Sequence, residues 1–205
     1  MTVSRTQRRS YNTAASVQAT NVSRMTGDSN IRVRDFRADD VKALIDVFRS
    51  SVRIIARRDY TQAQVIAWAP DVIDSGVWET RYATRRAFVA EIDSTQVGFT
   101  DLESDGHVDM MYVHAQCQGK GIASALLSHV ESVARGLGIH ELHTESSITA
   151  RWFFERRGFQ LISQQIVSMR GQKFVNYRMK KLLNTRAYCE ATSDEPSNRK
   201  RRSSG

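Results

Sequence analysis

The stretch that decides the fold is residues 116–127, QCQGKGIASALL, in which two glycines and a lysine stand where a strand gives way to a helix. Upstream, HVDMMYV (107–113) is rich in apolar and aromatic residues, and downstream IASALLSHVESVARGLG (122–138) has apolar residues at helical spacing. The start of a helix presents unpaired N–H groups and a positive dipole end, so it binds phosphate when the chain can come close. Gly119 and Gly121 remove the side chains that would keep such a ligand away, although the same pair would also serve a tight strand-to-helix turn.

Two nucleotide-binding patterns with similar glycines are excluded by the neighbouring residues. The Walker pattern GxxxxGK[ST] needs a hydroxyl residue after its lysine, but Gly121 follows Lys120. The dinucleotide pattern GxGxxG needs a third glycine where Ser124 stands. The loop therefore belongs to neither pattern.

The elements on both sides of the loop alternate in a recognisable order. Period-two patterns predict strands at 31–36, 87–92, 96–103, 107–113, 140–146, 159–169 and 174–182. Helical spacing predicts a helix from Ala38 to Ile55, a short one after Thr61 that ends before Pro70, one after the loop, and one at 149–157 closed by Gly158. A further helical turn or two is expected at 75–85. The order βααβββαβαββ indicates a mixed α/β fold with a largely antiparallel sheet flanked by helices.

Composition and charge limit the class of protein. The 205 residues are 40% hydrophobic and 25% charged, and no apolar run approaches the roughly 18 residues of a membrane span. Cys117 and Cys189 are too few for a disulfide framework and lack metal-ligand spacing, so we expect a reducing, cytoplasmic location and no metal. The net charge of +8 is concentrated at the ends. We therefore predict a disordered basic leader (1–30), one domain (31–183) and a disordered basic tail (184–205). The leader's composition would also suit a transit peptide, and RKRR (199–202) a nuclear-import or nucleic-acid patch, but solvated tails are favoured and nucleic-acid binding is not expected.

Two blocks of sequence carry a resemblance to a known family. Gln116-x-x-Gly119-x-Gly121 resembles the Gln/Arg-x-x-Gly-x-Gly/Ala signature of the GNAT superfamily of acyl-CoA-dependent N-acyltransferases, and ARWFFERRGF (150–159) resembles its A-x-x-F-Y-E-K-x-G-F segment. The order of elements is also the one that this family uses. Within the superfamily, DYTQAQVIAWAP (59–70), GHVDMMYV (106–113) and NYRMKK (176–181) resemble a bacterial group called YafP-like. The resemblance covers residues 31–183.

The resemblance implies a binding site for acetyl-CoA as acyl donor. Main-chain N–H groups at the helix start would hold the pyrophosphate, and the pantetheine arm would run beside the strand that precedes the loop. Ser147 stands where relatives often have a polar asparagine near the cofactor, and Phe154 can pack against the CoA arm. The implied cofactor-binding residues are Met111, Tyr112, Val113, Gln118, Gly119, Lys120, Gly121, Ile122, Ala123, Ser147 and Phe154.

Acyl transfer to an amine needs a base and an acid. If 107–113 is a regular strand, His107, Asp109, Met111 and Val113 share one face, and His107 falls about where the family often carries a glutamate base. Asp109 and His107 are therefore the predicted catalytic residues, against the alternatives of a structural salt bridge and a solvent-facing histidine. Where the family commonly has a tyrosine that protonates the thiolate, this chain has Phe154. Another hydroxyl (Tyr177, Tyr60 or Ser147), water, or a protein that binds acyl-CoA without turnover would explain that departure.

The acceptor pocket is expected among the first helices. Tyr60 and Trp68 are amphipathic aromatics that would line it, although aromatics at helical spacing are more often core residues. The predicted function is an N-acetyltransferase that acts on a primary amine, of a small molecule rather than of a protein. The alternatives are a protein-amine acetyltransferase, a non-catalytic acyl-CoA sensor and a nucleic-acid binder. The exposed final strands would permit a homodimer, since many relatives dimerise.

Overall fold

The structure is a computed structural model, and it describes residues 30–183. The predicted disordered leader and tail lie outside the described residues, apart from Asn30 at the boundary. None of the helices within the described range is long and apolar enough to cross a membrane.

Twelve helices and strands form the described part of the chain, with short 3₁₀ turns between them. The strands are β1 (Arg32–Asp35), β2 (Arg86–Ile92), β3 (Thr95–Leu102), β4 (Met111–Val113), β5 (Glu141–Ser147), β6 (Gln160–Met169) and β7 (Gln172–Leu182). The helices are α1 (Val41–Ser50), α2 (Gln62–Trp68), α3 (Ser75–Thr84), α4 (Ile122–Gly136) and α5 (Ile148–Arg156). The predicted mixed α/β class with antiparallel sheet is confirmed. The turn or two expected at 75–85 is a ten-residue helix, α3, which adds a third helix before β2.

The first sheet has the strand order β1-β2-β3-β4 and is antiparallel throughout. Asp93 and Ser94, with φ of 49° and 63°, form the two-residue turn between β2 and β3. Gly98 lets α4 pack closely on β3, because a Cβ there would lie 2.9 Å from Cγ2 of Ile122. The start of α4 is thereby held against the end of this sheet.

The second sheet has the order β5-β7-β6, also antiparallel. Arg170 and Gly171, with φ of 46° and 75°, make the tight turn between its two long strands. Strand β6 lies at the edge and exposes Ile162 and Ile166. An exposed edge of this kind would permit pairing with a second copy, and the homodimer stays a prediction.

Two hydrophobic clusters form the core. The first cluster joins α1, α2 and α3 to β3 and includes the aromatic residues Phe48, Trp78, Tyr82 and Phe99, whose rings pack on one another. The second joins α4 and α5 to β5 and β7 and includes Leu127, Leu142, Phe154, Phe159 and Met179. Both clusters reach the line along which β4 and β5 separate, so the aromatic packing on each side fixes the walls of the space between them.

Two predicted elements differ from those observed. The first helix does not end at Ile55: after α1 the chain widens into a π turn over Ser51–Ile55 and closes with a 3₁₀ turn at Ala56–Arg58. The strand predicted at 107–113 is wrong over its first four residues, because only Met111–Val113 pair with β3. The buried carboxylate of Asp101 accepts the N–H groups of Asp109 (3.0 Å) and Met110 (2.8 Å), which turns the backbone out of regular pairing.

Candidate active site

The candidate site lies where β4 and β5 separate. The segment just before β4 is hydrogen-bonded to β5. Val108 N–H donates to His143 O (2.9 Å), and Thr144 Oγ1 donates to Val108 O (2.7 Å). Beyond this point β4 pairs only with β3, and β5 pairs only with β7. The separation opens a cleft between the two sheets, with main-chain edges on both sides.

The edge of β4 offers free main-chain groups to this cleft. Antiparallel pairs alternate between hydrogen-bonded and non-bonded residues. The bonds His114 N to Val97 O and Asp101 N to Met110 O place Tyr112 among the bonded residues. The N–H and C=O groups of Met111 and Val113 therefore point towards β5. Gln118 Nε2 occupies the C=O group of Val113 (2.7 Å), so within residues 30–183 the open groups are the two N–H groups and the C=O group of Met111. An extended ligand arm can pair with them there without disturbing the sheet.

The glycine loop brings the start of α4 to one end of the cleft. Gly119 has φ of 74°, and Gly121 caps α4 with φ of 83°, conformations that residues with a Cβ adopt at a cost. No atom lies within 4 Å of a Cβ built on Gly119, so the loop is open on that side. Glycine therefore serves the turn, and the same turn leaves the N–H groups at the helix start accessible to an anion.

Side chains around the loop fix it and add positive charge. Gln118 Nε2 donates to Val113 O (2.7 Å), which ties the loop to the end of β4. Lys120 is exposed. Arg157, which the sequence analysis did not single out, donates to the hydroxyl of Ser124 in the first turn of α4. Two cations thus flank a helix N-terminus whose dipole already favours an anion.

A cavity of about 450 Å³ fills the cleft, and most of the predicted site residues lie in its wall. They are Tyr60, Trp68, Asp109, Met111, Tyr112, Val113, Gln118, Ala123, Ser147 and Phe154. Gly119, Lys120 and Gly121 are exposed just outside it, and the side chain of Ile122 is buried in the core. The predicted cofactor and acceptor residues are therefore brought together in one space.

The two predicted acceptor residues form an aromatic wall. Tyr60 packs edge-to-face on Trp68 with ring centroids 5.3 Å apart, and both contact Phe174. The Tyr60 hydroxyl accepts from Ile148 N–H (2.9 Å) and donates to Val175 O (3.3 Å). That hydroxyl is therefore occupied in holding the start of α5 to β7, so Tyr60 is both a core residue and a wall residue.

Ser147 and Phe154 have structural partners of their own. Ser147 caps α5, since its hydroxyl accepts from Ala150 N–H at 3.1 Å. Phe154 is only 4% exposed and packs on Phe159 with centroids 5.0 Å apart. Tyr177, one of the hydroxyls considered as proton donor, does not line the cavity, and its ring lies under the Arg151 guanidinium at 4.5 Å.

The two predicted catalytic residues occupy different places. Asp109 lies in the cavity wall, but its carboxylate is paired with Arg81 and with Arg85 (2.9 Å). Burial raises the pKa of Asp109, and the two arginines outweigh burial, so that the pKa ends below its usual value. His107 lies behind the wall and reaches the cavity through Glu145, to which its Nε2 is 2.7 Å distant. The irregular backbone before β4 has separated residues that a regular strand would have put on one face.

Sequence reasoning missed Glu145 and Asn176 in the cavity wall, as well as Arg157. Glu145 stands in HELHTES, where alternation indicates a strand but not which face meets the cleft. Asn176 lies on β7 opposite Ser147, and its buried Oδ1 has no hydrogen-bond partner among residues 30–183. Only the register of β5 with β7 indicates that Glu145 and Asn176 are neighbours, and the sequence does not show that register directly.

A cleft between two splayed strands, closed at one end by a glycine-capped helix, agrees with the site that the resemblance to acyl-CoA-dependent acyltransferases implies. The chain belongs to the GNAT acetyltransferase family, because residues 56–181 match the acetyltransferase (GNAT) domain. It is 35% identical over 152 residues to the uncharacterized N-acetyltransferase YafP of Escherichia coli K12, a match that covers 74% of this chain and 96% of that protein.

Solved structures share the fold. The GCN5-related N-acetyltransferase from Rhodopseudomonas palustris superposes with a TM-score of 0.72 at 28% identity, over 74% of this chain and 95% of that chain. The PaiA N-acetyltransferase from Thermoplasma acidophilum, in complex with coenzyme A, gives a TM-score of 0.64 at 19% identity, over 74% of this chain and 98% of that one.

Proposed function

We propose that the protein transfers the acetyl group of acetyl-CoA to a primary amine of a small molecule, by direct attack within a ternary complex. The proposal rests on a single cavity whose wall combines residues of the glycine loop and β4 with residues of α2 and β7. Gln118 and Met111 belong to the loop and to the strand edge, whereas Trp68 and Asn176 lie on the opposite, acceptor side. Donor and acceptor bound there would meet without a covalent enzyme intermediate.

The donor half of the cleft suits an acyl-CoA. The pyrophosphate would lie at the N–H groups of residues 118–123, with Lys120 and Arg157 beside it. The pantetheine arm would pair with the open edge of Met111 and Val113. Phe153 and Phe154 in the cavity wall supply an apolar contact for the arm. The T. acidophilum protein of similar fold is in complex with coenzyme A, which supports coenzyme A as the class of ligand.

The reaction needs few chemical groups from the protein. The amine nitrogen attacks the thioester carbonyl carbon, the C–N bond forms, the C–S bond breaks, and the thiolate takes up a proton. Holding the two reactants in attack geometry supplies a large share of the acceleration. Main-chain N–H groups at the open edge of β4 would polarise the carbonyl oxygen.

The proton for the thiolate comes from water in this proposal. Phe154 has none to give, and the Tyr60 hydroxyl already donates to Val175 O. Tyr177 lies outside the cavity wall. The attacking nitrogen must lose a proton as the C–N bond forms, and water in the cleft can carry that proton to sulfur.

A small-molecule acceptor is favoured by the shape of the acceptor side. Trp68, Tyr112 and Phe174 wall it, and the cavity volume of about 450 Å³ is in the range of small-molecule sites. A protein amine would have to reach past these rings on an extended side chain. The two cysteines without disulfide spacing support a reducing compartment, so we place the reaction in the cytoplasm.

The test is an acceptor screen that follows thiol release from acetyl-CoA. The full-length protein is incubated with benzylamine, 1,4-diaminobutane, the amino acids and a lysine-containing peptide, and its melting temperature is measured with and without acetyl-CoA. We expect acetyl-CoA to raise the melting temperature and at least one small amine to release thiol faster than the peptide does. Binding without thiol release from any amine would indicate a sensor, and faster release with the peptide would indicate a protein substrate. No binding of acetyl-CoA would refute the proposal altogether.

A further inference from the structure

Glu145 is a carboxylate of the cavity wall with one oxygen engaged and one available. It lies on β5, and its side chain is 36% exposed. Oε2 is 2.7 Å from Nε2 of His107, whereas Oε1 has no hydrogen-bond partner within the described range 30–183. A ligand in the cavity can therefore reach this carboxylate without breaking an existing bond.

His107 is held between two carboxylates. Its Nδ1 is 3.1 Å from Oε1 of Glu103, and its Nε2 faces Glu145. Ionised carboxylates only accept hydrogen bonds, so both contacts are satisfied together when the ring carries two protons. Burial lowers the pKa of His107, but Glu145 and Glu103 outweigh burial and leave the pKa above its usual value. The three residues thus form one proton-holding unit, Glu103–His107–Glu145.

Other charged groups lie around this unit, on the segment before β4, on β5, on β7 and just after α3. The ring of His143 stacks on that of His107, with centroids 4.9 Å apart, and Asp105 lies 3.7 Å from His143 Nε2. Arg85, which follows α3, pairs with Glu103 at 2.7 Å. Arg178 on β7 is the register partner of Glu145. Asp109 adds a negative charge that raises the proton affinity of His107.

The other carboxylate in the wall is poorly suited to take a proton. Asp109 is bound by both Arg81 and Arg85, and its pKa lies below the usual value for the reasons given above. A carboxylate held by two guanidiniums stays ionised and is a weak base. Of the two acids that line the cavity, Glu145 is the one that can share a proton with its partner, because that partner is a titratable imidazole.

Asn176 adds a second acceptor on the same face of the sheet. Glu145 pairs in register with Arg178 and Ser147 pairs with Asn176, so Glu145 and Asn176 are diagonal neighbours across β5 and β7. The buried Oδ1 of Asn176 lacks a partner among the described residues, which is costly unless a ligand donates to it. A carboxylate and an unpaired amide oxygen select a ligand rich in N–H donors.

We propose that Glu145 binds the ammonium form of the acceptor and removes its proton, with His107 and Glu103 as positioning residues that hold that carboxylate at the cavity and share the proton it takes up. The inference rests on the proposed acetyl transfer and names its acceptor class, a cationic primary amine. Near neutral pH such an amine is protonated and has no lone pair to attack with. The reaction must therefore begin by taking that proton away.

The proton balance is complete without any further reactant. In the reactive form His107 is neutral, and the ammonium proton passes to Glu145 and is shared with Nε2 of His107. The neutral nitrogen then attacks the thioester, and the second proton it loses reaches the departing sulfur. His107 returns the first proton to solvent. The sum is ammonium plus acetyl-CoA giving amide, CoA thiol and one released proton.

The test compares Glu145→Gln with Glu141→Gln, using acetyl-CoA and the best small amine from the screen. Glu141 is a matched control, since it lies on the same strand and face, is 40% exposed and pairs with Lys180 at 3.0 Å. We expect Glu145→Gln to lower kcat/KM at pH 7 about 100-fold, with acetyl-CoA affinity unchanged. The loss should shrink towards higher pH, where free amine is present without help. Glu141→Gln should match the wild type.

His107→Gln tests the positioning residues. Because the base must be unprotonated, wild-type kcat/KM should rise with pH through an apparent pKa above about 6.5, and His107→Gln should move this rise to lower pH. Wild-type turnover by Glu145→Gln, or an unchanged rise in His107→Gln, would overturn the inference. If the Glu145→Gln variant does not fold, the pH profile of His107→Gln decides alone. Failure of the wild type to acetylate any amine would instead count against the proposed function.

Discussion

Replacing Gly119 by aspartate should separate cofactor binding from folding. Gly119 and Gly138 lie before and after α4 with φ of 74° and 73°, and no atom lies within 4 Å of a Cβ built at either position. Gly119→Asp and Gly138→Asp therefore carry the same backbone strain, about 1 kcal/mol, and the same added charge. The helix dipole favours an acid at the first position and disfavours it at the second, by about 0.5 kcal/mol each.

The effect on acetyl-CoA binding should have the opposite order, because the substitution at position 119 should weaken binding more than the one at position 138. An aspartate at position 119 would stand roughly 6 Å from a pyrophosphate at the helix start, and with an effective dielectric constant near 20 each pair of negative charges costs about 3 kcal/mol before screening. Allowing for salt, we expect Gly119→Asp to weaken acetyl-CoA binding by about 1.4 to 2.8 kcal/mol, which is a factor of about 10 to 100 in Kd. Gly138→Asp should leave Kd unchanged.

The assay is isothermal titration with acetyl-CoA, together with thermal unfolding of both variants without ligand. The aspartate at 119 should unfold at the same or a higher temperature than the one at 138, by about 2–4 °C for each kcal/mol. Stability and affinity then change in opposite orders, which general damage to the fold cannot produce. Equal Kd values for the two variants would refute the placement of pyrophosphate at the start of α4.

Three other changes test separate parts of the structure. Tyr60→Phe removes the hydroxyl that accepts from Ile148 N–H, so the free energy of unfolding in urea should fall by about 1–3 kcal/mol while kcat stays within a few-fold of wild type. A fall in kcat without a fall in stability would instead make Tyr60 a proton donor. Burial raises the pKa of Asp40, but its bonds to Arg34 outweigh burial and leave the pKa low, so its contribution should be present near neutrality and be lost as pH falls through that lowered value. Urea midpoints of wild type and Asp40→Asn should then converge as pH falls from about 7 to about 3, and parallel curves would contradict this. Arg157→Gln should raise KM for acetyl-CoA several-fold and leave KM for the amine unchanged, as initial rates can show; an unchanged KM for acetyl-CoA would remove Arg157 from the donor site.

The glycine loop and the start of α4, where we propose that the donor binds, could be predicted from sequence because their features are local. Gly119 and Gly121 mark the positive φ angles of a loop, and the apolar spacing after Ile122 marks the helix that the loop begins. Such features depend on neighbours within a few residues, which a sequence displays directly. The open edge of β4 depends on its pairing with β3, and the strand predicted at 107–113 anticipated that pairing only for Met111–Val113.

The opposite side of the cleft, where we propose that the acceptor binds, depends on contacts between residues far apart in the chain. Asp101 draws the N–H groups of Asp109 and Met110 out of the strand pattern, and the alternation that placed His107 beside Asp109 fails for that reason. Glu145 and Asn176 become neighbours only through the register of β5 with β7. Alternation alone shows that their strands exist but not which face looks into the cleft.

Helix α3, which the sequence suggested only as a turn or two, determines which acid of the cleft is available to bind an ammonium group. Arg81 in this helix and Arg85 just after it neutralise Asp109, and Arg85 also holds Glu103. Without that helix, Asp109 and Glu145 would be two similar anions competing for one ammonium and one proton. With it, positive and negative groups alternate from α3 through Glu103 and His107 and end at Glu145, whose Oε1 is left without a partner among residues 30–183. The next positive charge in that order is the one an ammonium-bearing acceptor would bring.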